Sequence, residues 1–315
     1  MKKSEDGPAD SGNYTQDLAE AHGDPITYLV IGRGMEVHRE LGPGLDEVFY
    51  HRLLSSRLQG AGIPHQSKPR AELIYRGHVA DVFVPDLVIP DRLVIELKAQ
   101  RVGLTPECLT QLLSYLKFLR IPIGLLFDFG RERLIFQRVI HSEPDLEPFP
   151  DLKVPAFVCD NGLAATVLNQ IKAVFETHGL GYRDTTYRGL LLAAFCAETI
   201  PCTPEPSALV GELGQTRLRC LVVDHRCVLM ISALGEGLSA AERAVTQTYL
   251  RLLHLPWGLA VHFGKRAISL AFVVHPNHPP NRVSLTLTDP RAHPILGKSA
   301  ERPRSVPAIA DQYSI

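Results

Sequence analysis

The side chains with the most chemical capacity in this sequence are Asp86, Glu96 and Lys98, within the segment PDLVIPDRLVIELKA. Ten positions separate the two acids, and the lysine follows Glu96 by two. The residues between them read as a turn joining two apolar strands, 86–89 and 93–97. Successive strand side chains alternate faces, so Glu96 and Lys98 emerge together while Leu93, Ile95 and Leu97 pack on the other side. A hairpin-like return then sets Asp86 beside Glu96, bringing two carboxylates and an ammonium to one point. A hard cation such as Mg²⁺ takes one or two carboxylates plus water and phosphate oxygens. A neighbouring lysine can polarise an attacking water or neutralise charge growing on a phosphate. The pattern predicts metal-assisted phosphodiester hydrolysis. The same D-x9-E-x-K spacing also suits a solvated sheet face with alternating charges, so the surrounding elements must decide.

Those elements follow from the spacing of apolar residues. Between 25 and 40, Ile26, Leu29, Val30, Met35 and Val37 recur near helical intervals. Leu41-Gly42-Pro43-Gly44 ends that helix, because Gly and Pro disfavour continuation. A second helix carries Leu45, Val48, Phe49, Leu53 and Leu58 on its apolar side. Strands are predicted at 71–75, 79–89 and 92–97, a helix at 105–119, and further strands at 121–127 and 133–139. A small mixed sheet flanked by helices accommodates this order.

The chain of 315 residues is long enough for about two domains. With 45% hydrophobic and 21% charged residues it has the composition of a soluble globular protein. No apolar run reaches the roughly 18 residues of a membrane span. The polar first 24 residues lack a signal-peptide core and predict a disordered lead-in to a cytoplasmic protein. Six cysteines without a C-x-x-C pair argue for reduced thiols and against a zinc or iron–sulfur site. A net charge of −1 and a pI near 6.9 argue against tight non-specific binding to nucleic acid. They leave room for a local basic groove, or for a protein partner that delivers the substrate.

Gly44-x-x-Glu47-x-x-Tyr50 resembles the signature of the GxxExxY proteins, a branch of the PD-(D/E)xK nuclease superfamily. The resemblance continues through Asp86, Glu96-Leu97-Lys98, the QLLSYLK segment from Gln111, and GLLFDFG from Gly124, covering about residues 26–140. It implies Asp86 and Glu96 as ligands of Mg²⁺ or Mn²⁺, Lys98 as the catalytic lysine, and Glu47 as a further acid on the metal. It also implies that Gln111 and Tyr115, four apart on one helix, face the site. Asp128 departs from the family, which commonly carries asparagine there. Outside the resemblance, Glu47 also suits a helix's first turn, and Tyr50 and Tyr115 also suit a core. Asp81 and Asp91, without family support, read as solvated turn or strand-edge acids.

The second half of the chain repeats the first. Residues 223–264 overlay residues 89–130 at a constant offset of 134 (223 − 89 and 264 − 130). Identical pairs include Gly103/Gly237, Tyr115/Tyr249, Pro122/Pro256 and Phe129/Phe263. Upstream, GLGYRDTTYRGLL overlays GPGLDEVFYHRLL at an offset of 137 (179 − 42). A repeat of this length predicts two whole domains by internal duplication. The chemistry does not repeat: Asp86 corresponds to Cys220, Glu96 to Met230, Lys98 to Ser232 and Gln111 to Val245, and only Glu47 keeps an acid, Asp184. Thioether and hydroxyl groups do not replace carboxylates on a hard cation. Met230 and Val245 are expected to pack where the first copy keeps a charged pocket.

The expected fold class is α/β: two tandem PD-(D/E)xK-like, restriction-endonuclease-type domains, each a small mixed sheet flanked by helices. The expected boundaries are 1–24 for the lead-in, 25–150 for an active nuclease-like domain, 151–290 for a degenerate pseudo-nuclease, and 291–315 for a flexible tail. The expected function is a metal-dependent nuclease acting on nucleic acid, DNA before RNA, with one active centre in an internal pseudo-dimer. The alternative is a non-enzymatic scaffold or nucleic-acid-binding subunit of a bacterial defence or repair complex. Arg131, Arg133 and Arg138 suit backbone phosphates or a solvated strand edge equally. The His275–His278 loop reads as proline-rich with incidental histidines.

Overall fold

The computed structural model describes residues 24–235 and 237–275. The expected lead-in short of Asp24, the loop beyond His275 and the expected tail lie outside the described residues. Asp24 starts the first helix, α1 (Pro25–Leu41): its carboxylate accepts the N–H of Ile26, and Pro25 takes a position whose N–H would be unpaired anyway. Gly42, with φ +64, ends it. The turn into α2 (Glu47–Gly60) is closed by Tyr50, whose hydroxyl donates to the Gly42 carbonyl (2.7 Å) and accepts the N–H of Leu45 (3.2 Å). Tyr50 is fully buried and stacks on Phe129 at 4.7 Å, so its role is packing.

A five-stranded sheet follows in the order β1 (Gln66–Ser67), β4 (Leu87–Ile89), β5 (Leu93–Lys98), β6 (Ile123–Asp128), β7 (Ile135–Ile140). Only β5 and β6 run parallel, and the crossover between them is α3 (Pro106–Leu119), as a parallel pair requires. The strand expected over 79–89 is two strands in different sheets. β3 (His78–Phe83) pairs with β2 (Ala71–Tyr75) in a separate hairpin, and the chain enters the main sheet at Leu87. Pro85 stands between them and has no N–H to continue a ladder.

The second half uses the same plan. After α4 (Asn161–His178) and α5 (Asp184–Ala197), the sheet order is β8 (Cys202–Pro204), β11 (Leu221–Val223), β12 (Cys227–Ala233), β13 (Trp257–Phe263), β14 (Ile268–Val274). Again only the central pair, β12 and β13, is parallel, with α6 (Ala240–Leu253) as its crossover. Again a two-stranded hairpin, β9 (Ser207–Leu209) with β10 (Gln215–Arg217), stands apart. The tyrosine clamp recurs: the Tyr187 hydroxyl donates to Gly179 O (2.8 Å), and its ring stacks on Phe263 at 3.8 Å. The molecule is thus mixed α/β, with two separate mixed sheets flanked by helices.

Three apolar layers hold this together. α1 and α2 cover one face of the first sheet through Val30, Val37, Leu54, Leu93, Ile95 and Leu97. The other face, with α3 and the β2–β3 hairpin, shares one cluster with α4, α5 and the near face of the second sheet. α6 covers the far face of the second sheet. The two halves are therefore joined by core. Gly189 on α5 lies so close to β3 that a Cβ there would stand 1.8 Å from the Ala80 carbonyl oxygen. Asp81, expected in solvent, instead accepts the hydroxyl of Thr186 (2.5 Å) and pairs with Arg183 (3.4 Å). Ser114 on α3 accepts the N–H of Arg183 (2.9 Å). All six cysteines are free; Cys108, Cys220 and Cys227 are buried and Cys159 is exposed. No helix among the described residues is long and apolar enough to cross a membrane.

Candidate active site

The β4–β5 register pairs Leu87 with Ile95, which sets Asp86, just before β4, level with Glu96. Asp86 Oδ2 accepts the N–H of Leu97 at 2.9 Å, so the return joins the two acids as the ten-residue spacing required. Leu93, Ile95 and Leu97 enter the α1–α2 core, while Val94 packs on the α3 side, and Glu96 and Lys98 share the face of Val94 by strand alternation. That face is not solvated: Glu96 is 2% exposed.

Lys98 Nζ donates to Glu96 Oε1 at 2.7 Å, and the second oxygen, Glu96 Oε2, is buried with no hydrogen-bond partner. Burial, and then the charge of Asp86, push the Glu96 carboxyl up to about 7 against the pull of Lys98. Burial opposes the Lys98 charge, but Glu96, Glu47 and Asp86 together raise its pKa. Glu47, at the first position of α2, is also raised, by burial and by Asp86, with Lys98 and Lys68 opposing. Four of the five expected catalytic residues therefore share one electrostatic neighbourhood. Gln111 joins through Tyr115: its amide donates to the Tyr115 hydroxyl (2.8 Å), which donates on to the Val84 carbonyl (3.4 Å) beside the entry to β4. The Tyr115 pKa rises through burial and the nearby Glu96.

The donor set fits a hard divalent cation. Glu96 Oε2 is a buried acceptor without a donor, a state that native proteins rarely leave unresolved. Oxygen ligands from two carboxylates, completed by water and phosphate, are what Mg²⁺ or Mn²⁺ takes. Among the described residues, no three His, Cys, Asp or Glu side chains converge as a ready-made metal cage.

Three residues outside the expected site set shape the pocket. His51 Nε2 lies 3.0 Å from the Asp86 carbonyl oxygen and 3.3 Å from Ser67 Oγ. Asp128, level with Lys98 in the β5–β6 register, accepts the N–H groups of Gln100 (3.2 Å) and Gly130 (2.9 Å), latching the chain that leaves Lys98. Lys68 reaches Asp86 Oδ1 at 3.5 Å. No local pattern announces His51 or Lys68, whose contacts span 16 residues or more of chain.

In the second half, Cys220 is fully buried, and burial pushes its thiol up to about 12. Met230 packs against the same cluster, whereas Val245 is 36% exposed, contrary to expectation, because the outer face of α6 carries it.

Residues 24–139 match the model of a family described as the PD-(D/E)XK nuclease superfamily. No curated protein matches the chain. One matching solved structure, described as "Crystal structure of SSO0001", is 18% identical, over 41% of this chain and 74% of that one. Its TM-score of 0.24 is too low to define a common fold. The matched segment holds α1 to β7 with every acid, lysine and amide of the pocket, so the first half of the chain is similar to the PD-(D/E)XK nuclease superfamily, and that similarity suggests nuclease activity.

Proposed function

We propose that the chain is a cytoplasmic, Mg²⁺- or Mn²⁺-dependent nuclease that hydrolyses phosphodiester bonds, DNA before RNA, at one centre. The observation that carries this reading is the buried, unpartnered Glu96 oxygen beside Asp86 and Lys98. Asp86 and Glu96 would hold the ion, with Glu47 as a further acid beside them. When bound, the ion supplies Lewis-acid neutralisation of the phosphodiester charge. Lys98, fixed at 2.7 Å by Glu96, orients the attacking water and offsets negative charge on the phosphate. Gln111 places a ligand or phosphate oxygen, with Tyr115 holding its amide.

The second half is read as a duplicated copy that lost its chemistry, supported by its identical strand order and its tyrosine clamp. A single centre in such a pseudo-dimer nicks duplex DNA or cuts single strands, with the inactive half supporting α3 and the substrate. A second reading, a non-enzymatic nucleic-acid-binding scaffold within a larger defence or repair complex, draws on the sealed second pocket. The deciding assay offers single-stranded, nicked and duplex DNA, and RNA, to the full chain with Mg²⁺ or Mn²⁺. Wild type is expected to cleave, and Glu96→Ala and Lys98→Ala are not. Activity surviving both substitutions overturns the site, and binding without cleavage on every substrate favours the scaffold.

A further inference from the structure

One cation at the pocket has no part in that mechanism. Lys68 follows β1 directly, with φ +47, a left-handed conformation uncommon outside glycine. Its N–H donates to the Asp86 carbonyl (2.8 Å), and its ammonium stands 3.5 Å from Asp86 Oδ1 with the side chain 52% exposed. Lys98, by contrast, is 13% exposed and committed to Glu96.

The corresponding turn in the second half shows what this geometry does. Glu205 lies 137 positions after Lys68 (205 − 68), has φ +46, and donates its N–H to the Cys220 carbonyl at 2.9 Å. Its carboxylate accepts from Arg188 (3.2 Å), which also binds Asp184 (3.3 Å), the residue at the Glu47 position. In both halves the turn delivers one side chain to the same end of the pocket. In the second half that side chain is an acid paired with a buried arginine. In the first half it leaves a half-exposed lysine at the mouth, against three acids and one committed lysine.

From this we infer that Lys68 is a nucleic-acid-contacting residue: its ammonium binds a backbone phosphate at the mouth of the pocket and guides the strand to the acids. A lysine on a flexible stem suits this task, since it acts as a point charge without demanding one geometry. Such a contact adds affinity through counterion release and carries no base preference. The inference rests on the nuclease reading for what the pocket does with the strand, but its own test is binding.

The test measures anisotropy of a short fluorescein-labelled DNA oligonucleotide with the full chain in EDTA, which prevents metal-dependent cleavage. Lys68→Ala and Lys68→Gly are expected to raise Kd about five- to tenfold at low salt, and to reduce the slope of log K against log salt by about 1. Lys68→Arg is expected to stay within about twofold of wild type. Glycine relieves the left-handed backbone while removing the charge, so equal Kd values for the glycine and alanine variants separate loss of charge from backbone strain. With metal, KM is expected to rise by a similar factor while kcat stays within about twofold. An unchanged Kd and salt slope, or no DNA binding by wild type, overturns the inference. So does a fall in kcat at unchanged Kd, because Lys68 would then act in the chemistry. Wild type that binds DNA but never cleaves it removes the nuclease reading alone, and the EDTA arm still judges Lys68.

Discussion

At the position of Lys98 the second half has Ser232, and at the position of its register partner Asp128 it has His262. Lys98 reaches Glu96 at 2.7 Å and leaves the other Glu96 oxygen buried and unpartnered. Ser232 Oγ instead lies 2.9 Å from His262 Nδ1, whose ring reaches the Gly235 carbonyl (3.3 Å) and stands 3.7 Å from Glu242. Where Asp86 and Lys68 meet at the first pocket, Cys220 and an Arg188–Glu205 pair close the second. The two sheets share one strand order, one parallel pair and one tyrosine clamp. The fold therefore stands without the buried acids, and packing is not what calls for them. Burying a carboxylate against a second one costs free energy, and the first half bears that cost at Glu96 and Asp86.

The largest test of this contrast is kinetic. Glu96→Ala is expected to lower cleavage by about 10²–10⁴-fold, while Met230→Ala, at the matching position, leaves it within about twofold. Equal losses from both would show that the second pocket also acts.

The next test is thermodynamic. In EDTA the raised Glu96 pKa means that the folded state holds its proton more tightly than the unfolded one. Its stabilising contribution is complete below pH 4.5 and is lost as pH rises through about 7. Chemical denaturation across that window should show a decline on the order of 3 kcal/mol, absent from Glu96→Gln. A flat wild-type profile would count against the strained acid. No counterpart exists at Met230, so Met230→Gln should not flatten the profile.

Gly189→Ala is expected to cost about 2–3 kcal/mol and to lower both halves in one transition, because the new Cβ meets the backbone of Ala80. Arg52→Ala, at the same helix position in the first half, is exposed and should change stability by less than about 0.5 kcal/mol. Separate transitions for the two halves in Gly189→Ala would contradict the joint core. The smallest effect should be the most symmetric: Tyr50→Phe and Tyr187→Phe each remove one clamp to a glycine carbonyl and should each cost about 1 kcal/mol. A much larger cost in one half would show that the clamps are not equivalent.

Much of the fold was legible because its signals are local. The helices from Pro25 and Pro106 appeared through apolar spacing and end signals, and β5 through its alternation before Lys98. The repeat at 134 residues anticipated the second sheet. The break at Pro85 was misread, since an unbroken apolar run conceals a change of sheet. Asp81 was misread for a related reason: its partners, Arg183 and Thr186, lie more than 100 residues away.

By itself, the sequence pointed to Glu47, Asp86, Glu96, Lys98 and Gln111 and to the order of the elements that carry them, because periodicity, turn residues and a ten-residue return act over short stretches of chain. Tertiary structure alone decided their state. It left one Glu96 oxygen without a donor, turned Lys68 toward Asp86, paired Glu205 with Arg188, and set α5 against β3. Each of these depends on burial or on partners distant in the chain, and desolvation and charge proximity are set only when the chain closes on itself.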